Sequence, residues 1–147
     1  MILVDANLLL YAYDPDSPRH DLSRRWLEDA LSGTELVRFT WLTLWAFMRI
    51  STNSKVFARP LSAAEAHATV ASWFEQPNAG VIEPGDRHLE ILGGVVRDGQ
   101  ADGPLVMDAA LAAIAMEHGA TLCTTDRDFS RFAGLDWRNP IESAKGP

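Results

Sequence analysis

Thiol chemistry is nearly absent from this chain, whose one cysteine among 147 residues is Cys123. An internal disulfide is therefore excluded, and a lone cysteine inside the apolar run Thr121-Leu122-Cys123 reads as a small core residue. Long apolar stretches are missing too: no run reaches the roughly 18 residues that a membrane span requires. No basic segment precedes the apolar start Met1-Ile2-Leu3-Val4, so a secretory signal is not expected. These absences together predict a reducing, cytoplasmic setting. Positive charge is in short supply, with a formal net charge of −7. Proteins held to phosphates by electrostatics alone are usually basic, which counts against a simple nucleic-acid binder. The arginines are unevenly spread, however. Arg19, Arg24 and Arg25 fall close together, and Arg49, Lys55 and Arg59 flank another helix end. Both groups fit a solvated face as well as they fit a phosphate track.

Several chemistries lack their signatures. Neither a GxGxxG loop nor a Walker A loop is present to cradle a nucleotide. The segment after Asp5 is Ala6-Asn7-Leu8, so the second aspartate of a phosphoaspartyl-transferase DxD motif is missing. His20, His67, His88 and His118 show no zinc-ligand spacing and fall at surface or helix-end positions. No Ser-His or Cys-His pairing suggests a covalent nucleophile. No repeat, low-complexity tract or linker divides the chain, which reads as one domain over residues 1–147 with a flexible tail in its last few residues.

What is present is an alternation of short apolar runs and helical periodicity, the pattern of strand–helix units on a mostly parallel sheet of four or five strands. Ile2-Leu3-Val4 is the first strand. Asn7 is placed to cap a short helix over 8–12, which Asp14-Pro15-Asp16-Ser17-Pro18 stops. A second helix covers about 19–31, and Gly33 ends it. Leu36-Val37-Arg38-Phe39-Thr40 reads as a strand and 42–51 as a helix. Ser62-Ala63-Ala64-Glu65 is a capping box for a helix that buries Ala66, Val70, Trp73 and Phe74. Val81-Ile82-Glu83 is the third strand, and a helix from about Asp86 buries Leu89, Leu92, Val95 and Val96. A loop with Gly99, Gly103 and Pro104 delivers Asp108 to the next helix, which Gly119 stops. The fourth strand leads to Asp126, and Leu135-Asp136-Trp137-Arg138 adds a short edge strand. Trp41 and Trp45, an i,i+4 pair, are candidates for a partner-binding face.

Four carboxylates stand at or just after the ends of these elements: Asp5, Asp108, Asp126 and Asp128. Taken singly, Asp108 fits an ordinary helix N-terminus, and Asp126 and Asp128 fit an ordinary turn. Asp5 is harder to dismiss, because a charge directly after a buried central strand is costly unless paired or metal-bound. In an open α/β sheet the carboxyl ends of neighbouring strands converge on one crevice. Carboxylates gathered there repel one another, and a hard cation such as Mg²⁺ or Mn²⁺ relieves that. Metal-assisted hydrolysis, with phosphodiester bonds a suitable substrate, is the chemistry this set predicts. Asp5, Asp108 and Asp126 are the expected metal ligands and catalytic acids, and Asp128 is a weaker candidate.

Three segments carry a family resemblance: Ile2-Leu3-Val4-Asp5-Ala6-Asn7, Asp108 to Ala115, and Gly119 to Phe129. They resemble a PIN domain and, more narrowly, the VapC ribonuclease toxins of bacterial toxin–antitoxin pairs, and the likeness runs nearly the whole chain. The resemblance implies a three-layer α/β fold and an endoribonuclease dependent on Mg²⁺, with Mn²⁺ a substitute. It also implies an RNA substrate, a VapB-type antitoxin, a homodimer, and a heterotetramer or larger assembly with antitoxin. On the family pattern Asp5, Asp108 and Asp126 take the places of acids in the site, with Asn7 and the hydroxyl of Thr124 or Thr125 in support. One family acid is missing, because Ala46 occupies the place of a glutamate ahead of Phe47-Met48-Arg49. The alternatives are compensation by Asp102 or Asp128, a single-metal enzyme, or a non-catalytic protein that binds RNA or an antitoxin.

Overall fold

The computed structural model describes residues 1–142. Five short strands, β1 (Ile2–Val4), β2 (Val37–Phe39), β3 (Ala79–Val81), β4 (Thr121–Cys123) and β5 (Trp137–Arg138), form one sheet in the order β3-β2-β1-β4-β5. Every pairing is parallel. Six helices cover the faces: α1 (Ala6–Tyr13), α2 (His20–Ser32), α3 (Trp41–Ser51), α4 (Ala63–Phe74), α5 (His88–Asp98) and α6 (Leu105–His118). Burial on both faces explains why β1 is apolar throughout and does not alternate. Ile2 and Val4 face one core with Val37, Phe39, Phe47 and Trp73; Leu3 faces the other with Leu122, Ile114 and Phe129. The three-layer α/β expectation is met. The expected tail lies in 143–147, outside the described residues.

Several boundaries differ from the sequence reading, each for a local reason. Asp5, not Asn7, caps α1, accepting from the Ala6 N–H at 2.8 Å. Strand β3 begins at Ala79, two residues early, because buried Asn78 anchors the chain by donating to the carbonyls of Ala30 and Glu35. Gly80 disguised this strand. The Arg38 guanidinium lies over it, 3.0 Å from where a Cβ would stand. Helix α5 starts at His88 without a side-chain cap, and Leu89 points to solvent at 81% exposure, not inward. After Asp126 the chain makes a 3₁₀ helix over Arg127–Arg131, with the Asp126 side chain accepting from the Asp128 N–H at 2.9 Å. The Ser62–Glu65 capping box forms as read.

Candidate functional site

The parallel register of β1 and β4 builds the site. Val4 pairs with Cys123, and the Asp5 N–H extends the ladder by one rung to the Cys123 carbonyl at 3.0 Å. Asp5 therefore emerges beside Thr124, at the carboxyl end of the two central strands. The fully buried Thr124 hydroxyl donates to Asp5 Oδ2 at 2.8 Å, and it accepts from Asn7 Nδ2 at 3.2 Å and from the Asp126 N–H at 3.0 Å. One hydroxyl thus ties together Asp5, Asn7 and the backbone of Asp126. The sequence left Thr124 and Thr125 open as supports, and Thr124 is the one whose hydroxyl bonds. Thr125 joins through its N–H to Asn7 Oδ1 at 3.5 Å.

Asp108 does not do what an ordinary helix-start aspartate does. Helix α6 begins three residues earlier, at Leu105, and no side chain caps it. Asp108 instead lines a crevice of about 220 Å³ with Asp5, Leu42, Thr43, Ala46, Arg49 and Met107. Its carboxyl is pushed up to about 6, first by desolvation and then by the charges of Asp126, Asp5 and Asp128, with Arg131 opposing. Burial likewise raises the Asp5 carboxyl. The Thr124 and Ala6 bonds pull it down, and the charge of Asp126 pushes it further up. All four aspartates predicted from sequence therefore share one electrostatic environment. Asp102 is an exposed loop residue whose charge is not among those that raise Asp108. Arg131 was missed by sequence reasoning, because the 3₁₀ helix that carries it showed no periodic signal.

The donor set suits a hard divalent cation: oxygen ligands, desolvated, and mutually repelling. Among the described residues, no three His, Cys, Asp or Glu side chains cluster tightly enough to enclose an ion by themselves. Mg²⁺ does not need that, since it usually keeps several waters and takes one or two carboxylates directly. Ala46, which the family resemblance sets in the place of a glutamate, lines the same crevice.

A parallel α/β sheet with an acid-lined crevice at its carboxyl end defines a class, and comparison gives it a family. A model of the PIN domain matches residues 2–135. Ribonuclease VapC37 of Mycobacterium tuberculosis is 44% identical over 140 residues, 95% of this chain and 97% of that protein. Ribonuclease VapC33 of the same organism is 38% identical over 96% of this chain and 99% of its own length. The fold matches VapC20 of M. tuberculosis, described as a Sarcin-Ricin loop cleaving toxin, with a TM-score of 0.65 at 19% identity, covering 92% of this chain and 96% of that one. It also matches VapBC2 from Rickettsia felis bound to a promoter DNA fragment, with a TM-score of 0.67 at 17% identity, covering 94% and 98%. The chain belongs to the PIN domain family, among the VapC ribonucleases.

Proposed function

We propose that this chain is a divalent-metal-dependent endoribonuclease and the toxin of a toxin–antitoxin pair, with Asp5, Asp108 and Asp126 as its catalytic, metal-holding acids. The observation that carries the reading is the crevice shared by Asp5 and Asp108, in which desolvation, and after it the charges of neighbouring aspartates, pushes the Asp108 carboxyl up to about 6. The VapC ribonucleases it resembles support RNA as the substrate.

The chain's own groups prepare the site. The Ala6 N–H holds Asp5 Oδ1 and the Thr124 hydroxyl holds Oδ2, so this carboxylate has a fixed plane. Asp126 engages Oδ1 with the Asp128 N–H, and in this reading its second oxygen is the one that would hold metal. Asn7 fixes the Thr124 hydroxyl from behind. Mg²⁺ or Mn²⁺, when bound, supplies charge neutralisation, Lewis acidity toward a phosphate oxygen and activation of water at neutral pH.

Solved structures of the same fold include a toxin–antitoxin complex from Klebsiella pneumoniae and VapBC-1 from Haemophilus influenzae, and these support a VapB-type antitoxin as partner. An acidic crevice suits a basic side chain from such a partner. The exposed Trp41 and Trp45 support a homodimer, and with antitoxin a heterotetramer or larger assembly. No helix among the described residues is long and apolar enough to cross a membrane. The cytoplasm is the compartment we propose, and one PIN domain over 1–147 is its extent.

The test is cleavage of total cellular RNA by antitoxin-free protein in Mg²⁺, in Mn²⁺ and in chelator, beside Asp5→Asn. Discrete metal-dependent products that vanish in the variant are the expected result. A second reading rests on Ala46, which leaves the crevice one acid short: a protein that binds RNA or antitoxin without turnover. RNA binding without hydrolysis in either metal, from folded protein, would establish it.

A further inference from the structure

Helix α3 brings a cation to the acidic crevice. Ala46 and Arg49 stand three residues apart on one face of α3, and both line the crevice with Asp5 and Asp108. A carboxylate at position 46 would stand within i,i+3 reach of the Arg49 guanidinium and would claim it as an ion pair. Alanine cannot.

The other arginines show how unusual an unclaimed guanidinium is here. Arg24, Arg59, Arg87, Arg97, Arg127 and Arg138 each pair with a carboxylate. Arg19 donates to the Tyr11 hydroxyl, and Arg38 and Arg131 donate to backbone carbonyls. Of the arginines among the described residues, only Arg25 and Arg49 have side chains with no polar partner, and Arg25 does not line the crevice. Arg49 is exposed, so its guanidinium stays hydrated and uncommitted at the crevice wall.

The planar fork of an arginine matches two oxygens of a phosphate, and such charge-assisted pairs are the stronger kind of hydrogen bond. A phosphodiester in this crevice would meet the carboxylate that follows β1, the one on α6, and Arg49 from α3. We propose that Arg49 binds the RNA phosphate entering the Asp5–Asp108 crevice, and that alanine at position 46 is what leaves it free to do so. This deepens the ribonuclease reading and rests on it. The substitution at position 46 then removes an acid and releases a substrate-binding base in the same step.

Binding of a fluorescein-labelled, mixed-sequence single-stranded oligoribonucleotide, in chelator to prevent turnover, separates the possibilities. Arg49→Ala is expected to weaken binding about tenfold, as for loss of one charge-assisted bond. Its slope of log affinity against log salt falls by about 0.7, one phosphate contact on a single strand. Arg49→Lys keeps most of the slope and recovers part of the affinity. Ala46→Glu recaptures Arg49 and weakens binding toward the Arg49→Ala value. Arg97→Ala, at an exposed residue away from the crevice, binds as the parent does. Melting temperatures equal to the parent's exclude misfolding as the cause. If Arg49→Ala binds within about twofold of the parent with an unchanged salt slope, the proposal is overturned while the nuclease stands. If the parent neither binds this RNA nor cleaves total RNA in Mg²⁺, the ribonuclease reading falls, and this inference with it.

Discussion

Helix α6 carries a carboxylate near each end, and the two have opposite fates. The helix dipole alone would favour the negative charge of Asp108 near the amino end and disfavour that of Glu117 in the last turn. The reverse is found. Asp108 is pushed up to about 6 by desolvation and by neighbouring aspartates. Glu117 is held below the usual range, first by the Gly85 N–H at 2.7 Å, then also by the Arg87 N–H at 3.0 Å and by the nearby His118 and His88. Adjacent groups outweigh the dipole at both ends. The carboxyl end of the helix has supplied its acid with donors. The amino end gathers acids whose charges Arg131 only partly opposes, and that imbalance is what the proposed metal site would relieve and a structural clasp does not need.

The sharpest way to break the comparison is to remove the imbalance. Asp108→Asn is expected to lower RNA cleavage by more than about a hundredfold if Asp108 holds metal as proposed. In chelator the same variant should be more stable than the parent. The folded Asp108 carboxyl lies above its ordinary value, so the folded protein retains a proton that the unfolded chain releases. Stability is therefore lost as pH climbs from the ordinary aspartate range to about 6, and the loss persists above it. For a partly exposed group screened by solvent this is on the order of 1 kcal/mol. Thermal unfolding at pH 8 checks it. Mg²⁺ should raise the melting temperature of the parent and leave that of Asp108→Asn much less changed.

Next in size is Thr124→Val, which keeps the shape of a buried residue and deletes the hydroxyl that serves Asp5, Asn7 and Asp126. Leaving these groups short of partners costs about 2 kcal/mol, measurable by urea unfolding. Asp5 also loses the largest influence holding its carboxyl down. The pH of half-maximal cleavage should therefore move upward. An unchanged pH profile would mean that Thr124 supports the fold and not the acid.

At the other end of α6, Glu117→Gln should leave cleavage untouched and lower the melting temperature by a few degrees. The Glu117 carboxyl is held below its ordinary value, so its contribution is present above the ordinary glutamate range and is lost as pH falls through the folded value. The difference between parent and variant should shrink on acidification. This is opposite in sign to the pH effect at Asp108.

Much of the crevice was legible in the sequence because strand ends are marked by composition. Ile2-Leu3-Val4 and Thr121-Leu122-Cys123 each lead directly to the residues that matter, and parallel pairing sets Asp5 beside Thr124. The 3.6-residue repeat located α2, α4 and α6. What stayed hidden lacked a period. The early start of β3 depended on Asn78 anchoring to distant carbonyls, and Gly80 hid the strand. The 3₁₀ helix that brings Arg131 near Asp108 is too short to show a stripe. The Glu117 clasp joins residues about thirty positions apart, and no local pattern announces such a pairing. Ala46 was visible as a missing acid, but the neighbouring guanidinium took its meaning only from the crevice wall it shares.

The smallest effect expected tests the clasp itself. A Cβ on Gly85 would stand 2.8 Å from Glu117 Oε2, closer than real contacts allow, and the obstructing atom is the end of a flexible side chain. Gly85→Ala should therefore displace the carboxylate slightly, lowering the melting temperature by less than Glu117→Gln does. In a Glu117→Ala background the same change should cost nothing further, because the group it presses on is gone. Non-additivity of the two substitutions in thermal unfolding is the measurement, since residues in contact couple and distant ones do not. Additive losses would place the role of Gly85 in its own backbone. The lowered Glu117 carboxyl would then owe less to the Gly85 N–H than to Arg87 and the two histidines.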